Sequence, residues 1–219
     1  MTLDYWDIEV EDLISRPTSD SIVQNCFSGA PGLTDPNCAL FTPVVTVAGL
    51  NFNNFTNQLA NLSKVSTDGF DLGAQYELDG PWDTLINSEL QATYVKENTF
   101  FPGAGGADDR GSIPRIRAVW NNQISWEEWD FIIRGRYIHS MTDPSFSKET
   151  NIFRYEDVRS HTEWDLRVRY NWDQYTAVLG VNDVFDRDPP YVFSSGNNTD
   201  LFLYSPVGRY FFLRLSADL

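Results

Sequence analysis

Histidine, cysteine and methionine each occur only twice in this 219-residue chain, and 16 basic residues stand against 31 acidic ones. Each scarcity closes off a class of function. His139 and His161 fall in different candidate strands with no nearby cysteine or carboxylate pattern, so neither a metal site nor a histidine-based nucleophile is signalled. A formal net charge of -15 argues against nucleic acid, because binding phosphates takes clustered Lys and Arg. No run approaches the ~18 to 20 apolar residues of a membrane-spanning helix. The opening "MTLDYWDIEVEDL" has neither the basic start nor the apolar core of a signal peptide. There is no G-x-S-x-G, and "GAGGADDRG" (103 to 111) lacks the Lys-Ser/Thr ending of a phosphate loop and reads as a flexible loop. Carboxylates abound without any two standing out as an acid/base pair. No enzymatic chemistry and no cofactor is indicated.

What is present is strict alternation. At 162 to 172 the even positions are Thr162, Trp164, Leu166, Val168, Tyr170 and Trp172, and the odd ones His161, Glu163, Asp165, Arg167, Arg169 and Asn171. A period of two is the mark of a strand with one apolar and one polar face. At 68 to 78, Phe70, Leu72, Ala74, Tyr76 and Leu78 oppose Gly69, Asp71, Gly73, Gln75 and Glu77. At 129 to 141, Phe131, Ile133 and Tyr137 oppose Asp130, Arg134 and Arg136, with Ile132 and Ile138 diluting the polar face. Weaker versions cover 3 to 11 (Trp6, Ile8, Val10 against Asp7, Glu9, Glu11), 84 to 97, 114 to 126, 174 to 184 and the C-terminal stretch, which makes eight strands.

These strands run to ten residues or more, whereas strands in soluble domains cluster near ~5 to 6 and membrane strands need ~9 to 11. Their connections alternate in length. "DGPWD" near 79, Glu127-Glu128, and Asp173 alone are tight turns, while about 13 to 65, 98 to 113, 142 to 160 and 186 to 206 are long and rich in Gly, Pro and Asn. Short turns at one end and long loops at the other are how outer-membrane barrels are built. Tyr5 with Trp6, then Trp82, Trp126, Trp129, Trp172 and Tyr175 mark strand ends, where an aromatic girdle belongs, and six of the seven, Trp6, Trp82, Trp126, Trp129, Trp172 and Tyr175, read as one level. The competing all-β reading is a soluble sandwich with its aromatics inside.

In a barrel the ionic faces line a lumen. Asp7, Glu9 and Glu11 then form one wall, and Arg115, Arg117, Arg134, Arg136, Arg167 and Arg169 another, interleaved with Asp130, Glu163 and Asp165. Such residues either pair across strands and hold register, or contact a plug or passing solute. Cys26 and Cys38 bracket "NCFSGAPGLTDPNC". They are two free thiols or, as expected here, a local disulfide that closes a polar loop, contributes up to ~3 kcal/mol and implies an oxidising compartment. In "NFNNFTNQLANLS", Asn51, Phe52, Asn54 and Phe55 set amides beside aromatic faces, which suits sugars and other neutral polar ligands. The same residues are ordinary turn formers.

Three stretches together resemble the TonB-dependent outer-membrane receptors. "GVNDVFDRDPPYV" (180 to 192) is similar to that family's penultimate strand entering its loop. "GRYFFLRLSADL" is similar to its last strand, with Gly208, Arg209, Phe211, Leu213, Leu215 and Leu219 as the signature. "DYWDIEVEDLI" followed by the loop cysteines and "NLSKVSTDGFDLGAQYEL" resembles an upstream run. The family's barrel has ~22 strands and a plugged lumen. The resemblance therefore implies the last eight strands, with short periplasmic turns, extracellular loops and a long extracellular loop over 13 to 64. Its implied setting is the outer membrane of a Gram-negative bacterium. Implied partners are outer-membrane lipid, the plug and preceding strands, a TonB-type energy coupler reached through a part not in this chain, and a scarce extracellular ligand of siderophore, cobalamin or oligosaccharide class. Two departures stand out. The terminal residue is Leu219 where the family usually has Phe, and the plug is absent, so the strand at Leu3 reads as the place where the protein was cut. The alternatives are a free-standing eight-stranded outer-membrane barrel with a structural or adhesive role, and a soluble carbohydrate-binding β-domain.

Overall fold

The computed structural model describes residues 1–16, 19–28, 35–46, 49–56, 58–102, 113–143, 157–192 and 197–218. It divides into two compact units, one of residues 1–6, 68–96 and 110–219, the other of residues 7–67 and 97–109. The strands are β1 (Thr2–Ser15), β2 (Thr42–Thr46), β3 (Gly49–Asn53), β4 (Ala60–Asp79), β5 (Leu85–Pro102), β6 (Ile116–Trp126), β7 (Trp129–Ile138), β8 (Met141–Thr142), β9 (Asp157–Val158), β10 (His161–Trp172), β11 (Tyr175–Asn182) and β12 (Tyr210–Ala217). One helix, α1 (Ser19–Ser28), and a short 3-10 helix (Pro36–Leu40) are the helical elements among the described residues. Eight long strands form one sheet in the order β1-β4-β5-β6-β7-β10-β11-β12, the eight expected from the alternation. β1 and β12 are its two edges and are not paired with each other, so the eight strands form an open sheet.

In the first unit, register assigns the faces. β7 and β10 pair antiparallel with Asp130 opposite Arg169, Arg134 opposite Asp165 and Arg136 opposite Glu163, all on one face. The other face carries Phe131 opposite Val168, Ile133 opposite Leu166 and Gly135 opposite Trp164. Burial is inverted relative to a soluble domain. Asp130, His161, Glu163 and Asp165 are buried, while Phe131, Leu166, Leu179, Phe211, Leu213 and Leu215 are exposed. In water so large an apolar surface would go uncompensated, and in hydrocarbon it is the stable arrangement.

The turns follow the hairpin rules. Trp126 pairs with Trp129 across Glu127-Glu128, and Trp172 with Tyr175 across a two-residue turn of Asp173 and Gln174, one residue longer than the sequence suggests. Glu127 and Asp173 both take positive φ (51°), the left-handed conformation that tight hairpins demand. Three glycines in the strands are covered by aromatics. A Cβ on Gly135 would lie 2.8 Å from the Trp164 ring, one on Gly180 2.3 Å from Phe212, and one on Gly69 2.5 Å from Trp6. On the apolar face Trp120 and Trp164 meet edge-on at 5.9 Å, and the Trp120 indole N–H donates to Ser88 Oγ at 3.0 Å, which satisfies that donor.

This geometry corrects the level assigned to Trp6. Trp82, Trp126, Trp129, Trp172 and Tyr175 do lie at turns. Trp6 instead lies over Gly69, next to the carbonyl of Tyr94, and Tyr94 pairs with Ile116, ten residues along β6 from Trp126. Strand register, which composition does not reveal, separates Trp6 from the others by about 33 Å of strand. Trp6 also shares strand parity with Thr2, whose hydroxyl contacts Gly73 on the face of Asp71. Tyr5 takes the interfacial position: its ring packs on Phe70 at 5.1 Å and its hydroxyl donates to Asp68 at 3.3 Å.

The second unit has a core of its own. Ile22, Cys26 and Phe41 are buried, and Val23, Cys38, Leu40, Phe52 and Phe55 pack on them. Cys26 and Cys38 form a disulfide, and Asp35 caps the 3-10 helix through the backbone N–H of Asn37 at 2.8 Å. The connection expected over 13 to 64 is shorter, because β1 runs to Ser15 and β4 starts at Ala60. Within it β2 and β3 form a ladder from Thr42 opposite Asn53 to Thr46 opposite Gly49. Lys64 of β4 is paired with Glu9 and reaches Glu11 at 3.4 Å.

Candidate functional site

The polar face of the first unit presents two buried ionic knots, built because period-two strands place charges opposite charges. Nearest the turns, Asp130 accepts from Ser125 Oγ at 2.6 Å and Gln123 Nε2 at 2.9 Å, with Asn171 at 3.4 Å and Arg169 at 3.5 Å. Further along, Arg136 donates to Glu163 at 2.5 Å and to Asp165 at 3.3 Å. Glu163 also meets His161 Nε2 at 3.0 Å. Asp165, only 2% exposed, accepts the backbone N–H of Asp183 at 3.1 Å as well, so it is tied to the end of β11. Removing one member would strand a buried charge, the costly way to break such a pair.

The other predicted arginines are placed differently. Arg167 stands over the Phe212 ring at 5.9 Å, and the Nε atoms of Arg134 and Arg167 are buried with no hydrogen-bond partner among the described residues. Arg117 lines a cavity of about 620 Å³ on the polar face, with Asp4, Asp71, Gln91, Thr93 and Arg136 around it. In that cavity Thr93 donates to Asp71 at 2.7 Å.

Between β11 and β12 the stretch "NDVFDRDPPY" is a hydrogen-bonded knot. Asp183 accepts the N–H of Arg187 at 2.9 Å, and Asp186 accepts the N–H of Arg209 at 2.8 Å. The carbonyl of Val184 takes the Arg209 guanidinium at 3.3 Å. Asp183 and Asp186 hold positive φ (47° and 52°). Gly208 lies close beside this knot, where a Cβ would stand 2.7 Å from Asp186 Oδ1 and would push that carboxylate aside. A third buried group sits at the loop end of β7 and β10: Met141, Val158, Val192 and Tyr204, with Ile138 and Leu203 against them. Tyr204 meets His161 edge-on at 5.5 Å. Burial, and secondarily the charge of Asp200, pushes the Tyr204 phenol above its ordinary range. Nothing in the sequence pattern marked this group, because its members are scattered through aperiodic loops.

Of the residues expected to meet a ligand, Phe52 and Phe55 are turned into the core of the disulfide loop, 5.3 Å and 5.6 Å from the Phe41 ring. Asn51 and Asn54 are exposed, and Asn54 has positive φ (55°), as a turn former does. In the C-terminal signature, Phe211, Leu213 and Leu215 share the apolar face with Val181, Leu179 and Ala177. Leu219 and the glycine-rich 103 to 111 lie outside the described residues. No group of three or more metal-ligating side chains occurs among the described residues. No helix among them is long and apolar enough to cross a membrane, which says nothing about crossing with strands.

The family model described as TonB dependent receptor-like, beta-barrel, matches residues 1–184. No curated protein matches the chain. Among solved structures it is similar to the FrpB iron transporter from Neisseria meningitidis (F3-3 variant), with a TM-score of 0.58 and 13% identity over 97% of this chain and 28% of that one. It is also similar to the outer membrane transporter YddB from Escherichia coli, with a TM-score of 0.57 and 12% identity over 98% of this chain and 30% of that one. The chain thus spans less than a third of the length of the transporters it resembles.

Proposed function

The chain belongs to the TonB-dependent receptor β-barrel family, and from that premise we propose that it supplies the C-terminal barrel wall and part of the ligand-facing loops of an outer-membrane uptake receptor. The observation that carries this reading is the inverted sheet, with Asp130, Glu163 and Asp165 buried on one face and Leu166, Leu179, Leu213 and Leu215 exposed on the other. An apolar face of this kind suits lipid, and a wall of paired charges suits a hydrated lumen. The open edges of β1 and β12 speak for further strands beside them, because unpaired backbone groups are not tolerated in hydrocarbon. They speak against a self-contained ring of eight. In this arrangement the two-residue turns face the periplasm, and the loops carrying the disulfide and the Tyr204 cluster face outward. The complete receptor takes up a scarce ligand of siderophore, cobalamin or oligosaccharide class, energised from the inner membrane, with the plug seated against the polar wall.

Envelope fractionation tests the setting, and uptake tests the role. The protein is expected in the outer-membrane fraction, with mobility on gels that changes on heating. Uptake of its ligand should stop when the energy coupler is deleted or the proton gradient collapsed. A protein recovered folded from the soluble fraction, or uptake indifferent to the coupler, would refute the proposal.

A further inference from the structure

We propose that a pocket at the loop end of the sheet, bounded by Arg115 and Arg159, is a binding site for a small organic anion carrying two or more carboxylates. This rests on the receptor reading above and names the chemical class its loops accept. The pocket has a volume of about 530 Å³, in the range of sites for small molecules. Ordered elements build it. The backbone of Arg115 is fixed by the N–H of Val95 at 2.9 Å, β8 and β9 pair Met141 with Val158 and Thr142 with Asp157, and Arg159 leads into β10. Met141 and Val158 are at once part of the lining and part of the buried cluster around Tyr204, so the floor is apolar and held in place.

The arginines are what make it a site. Arg115 donates one N–H to the carbonyl of Lys96 at 3.3 Å, and Arg159 one to the carbonyl of Asp188 at 3.4 Å. A guanidinium has five donors, so each is oriented by a neutral acceptor and keeps most of its donors for something else. Five other cations, Lys64, Lys96, Arg136, Arg169 and Arg209, are neutralised by acids, and Arg167 stands over the Phe212 ring. Acids outnumber bases 31 to 16 in the chain, yet neither Arg115 nor Arg159 has a carboxylate within 4.0 Å among the described residues, although Asp157 shares the pocket. Two forks on separate elements match two carboxylates of one molecule, and Ser140 and Thr142 add hydroxyl donors along the lining. The apolar floor favours an anion with a carbon skeleton over a bare oxyanion.

Isothermal titration of the complete receptor with tricarballylate, a small tricarboxylate, tests the assignment, with inorganic phosphate and sucrose as comparators. Tricarballylate should bind saturably and more weakly as salt rises. Arg115→Gln and Arg159→Gln should each weaken it about tenfold or more, the loss expected for one charge-assisted contact. Both side chains are solvent-exposed. Arg115→Lys and Arg159→Lys, which keep the charge, should show intermediate affinity and guard against a folding artefact. Absence of saturable binding, unchanged affinity in the double Gln variant, phosphate bound as tightly as tricarballylate, or sucrose bound through the same arginines would each overturn the assignment. Binding by the purified receptor reads the pocket without the energy coupler. Binding intact while coupler-dependent uptake fails overturns the receptor reading and leaves the pocket, and the reverse outcome removes the pocket and leaves the receptor.

Discussion

Replacing Leu213 by Arg separates a lipid-facing sheet from a sheet in water. Leu213 lies on β12 opposite Leu179 and is 66% exposed. It is four residues from Ala217, which pairs with Tyr175 at the Asp173 turn. At about 3.4 Å per residue and a tilt near 40°, it stands roughly 10 Å above the turn end, near the middle of an apolar band about 25 Å tall. An arginine at that depth costs about 2–4 kcal/mol. In water the same change at so exposed a position would fall within about ±0.5 kcal/mol. Arg214→Leu is the internal comparison, because Arg214 sits at the same depth on the opposite face, opposite Val178. It should cost less than about 1 kcal/mol. The assay is urea unfolding of the complete receptor in phospholipid vesicles, followed by tryptophan fluorescence. If Leu213→Arg shifts stability by less than about 0.5 kcal/mol, or Arg214→Leu costs as much as Leu213→Arg, the assignment of faces is wrong.

The other expectations concern particular contacts. Gly135→Val should destabilise by about 1–3 kcal/mol in the same assay, because its side chain would strike the Trp164 ring 2.8 Å away, and Trp164→Ala should recover part of the loss. Cys26→Ser with Cys38→Ser should remove up to about 3 kcal/mol from the loop unit alone. Hydrogen exchange is then expected to rise in α1, β2 and β3 while β6, β7 and β10 stay protected; uniform protection, or loss across the whole sheet, would contradict an independent loop core. The Tyr204 hydroxyl is buried with no hydrogen-bond partner among the described residues, so Tyr204→Phe should be neutral or stabilising by about 1 kcal/mol at pH 7. The folded phenol also titrates above its unfolded value, so its contribution is full below about pH 10 and lost as pH rises through the folded pKa. Stability measured across that window should fall less steeply for the Phe variant, and parallel curves would refute the burial of this phenol.

How much of this was legible in the sequence follows from what enforces a pattern. Eight strands could be read directly because two different solvents enforce alternation, and lipid on one face leaves no freedom to place an aspartate at Leu166 or Leu213. The short turns were legible for a related reason: a two-residue hairpin needs positive φ, and Glu127 and Asp173 accept it. Parity is silent about level, however. It shows which face a residue takes and leaves open how far along the strand it lies, so Trp6 reads as a member of the turn-end girdle until pairing places it over Gly69, beside Tyr94.

The loops obey neither rule, and there proximity in space counts for more than spacing in sequence. Phe52 and Phe55 look like ligand contacts because nothing local shows that Ile22, Cys26 and Phe41 are waiting to cover them. The pocket arginines were hidden by the opposite error. In the sequence Arg115 reads as one more rung in the ladder with Arg117, Arg134 and Arg136, with an acid expected across the strand as Arg136 has. The structure instead puts Arg115 just before β6 begins, where no neighbouring strand presents a carboxylate to it and its held donor meets a backbone carbonyl. What marks Arg115 is its company: the fold brings it to one pocket with Arg159, 44 residues further along the chain, each held by a backbone carbonyl, and no spacing in the sequence shows that meeting.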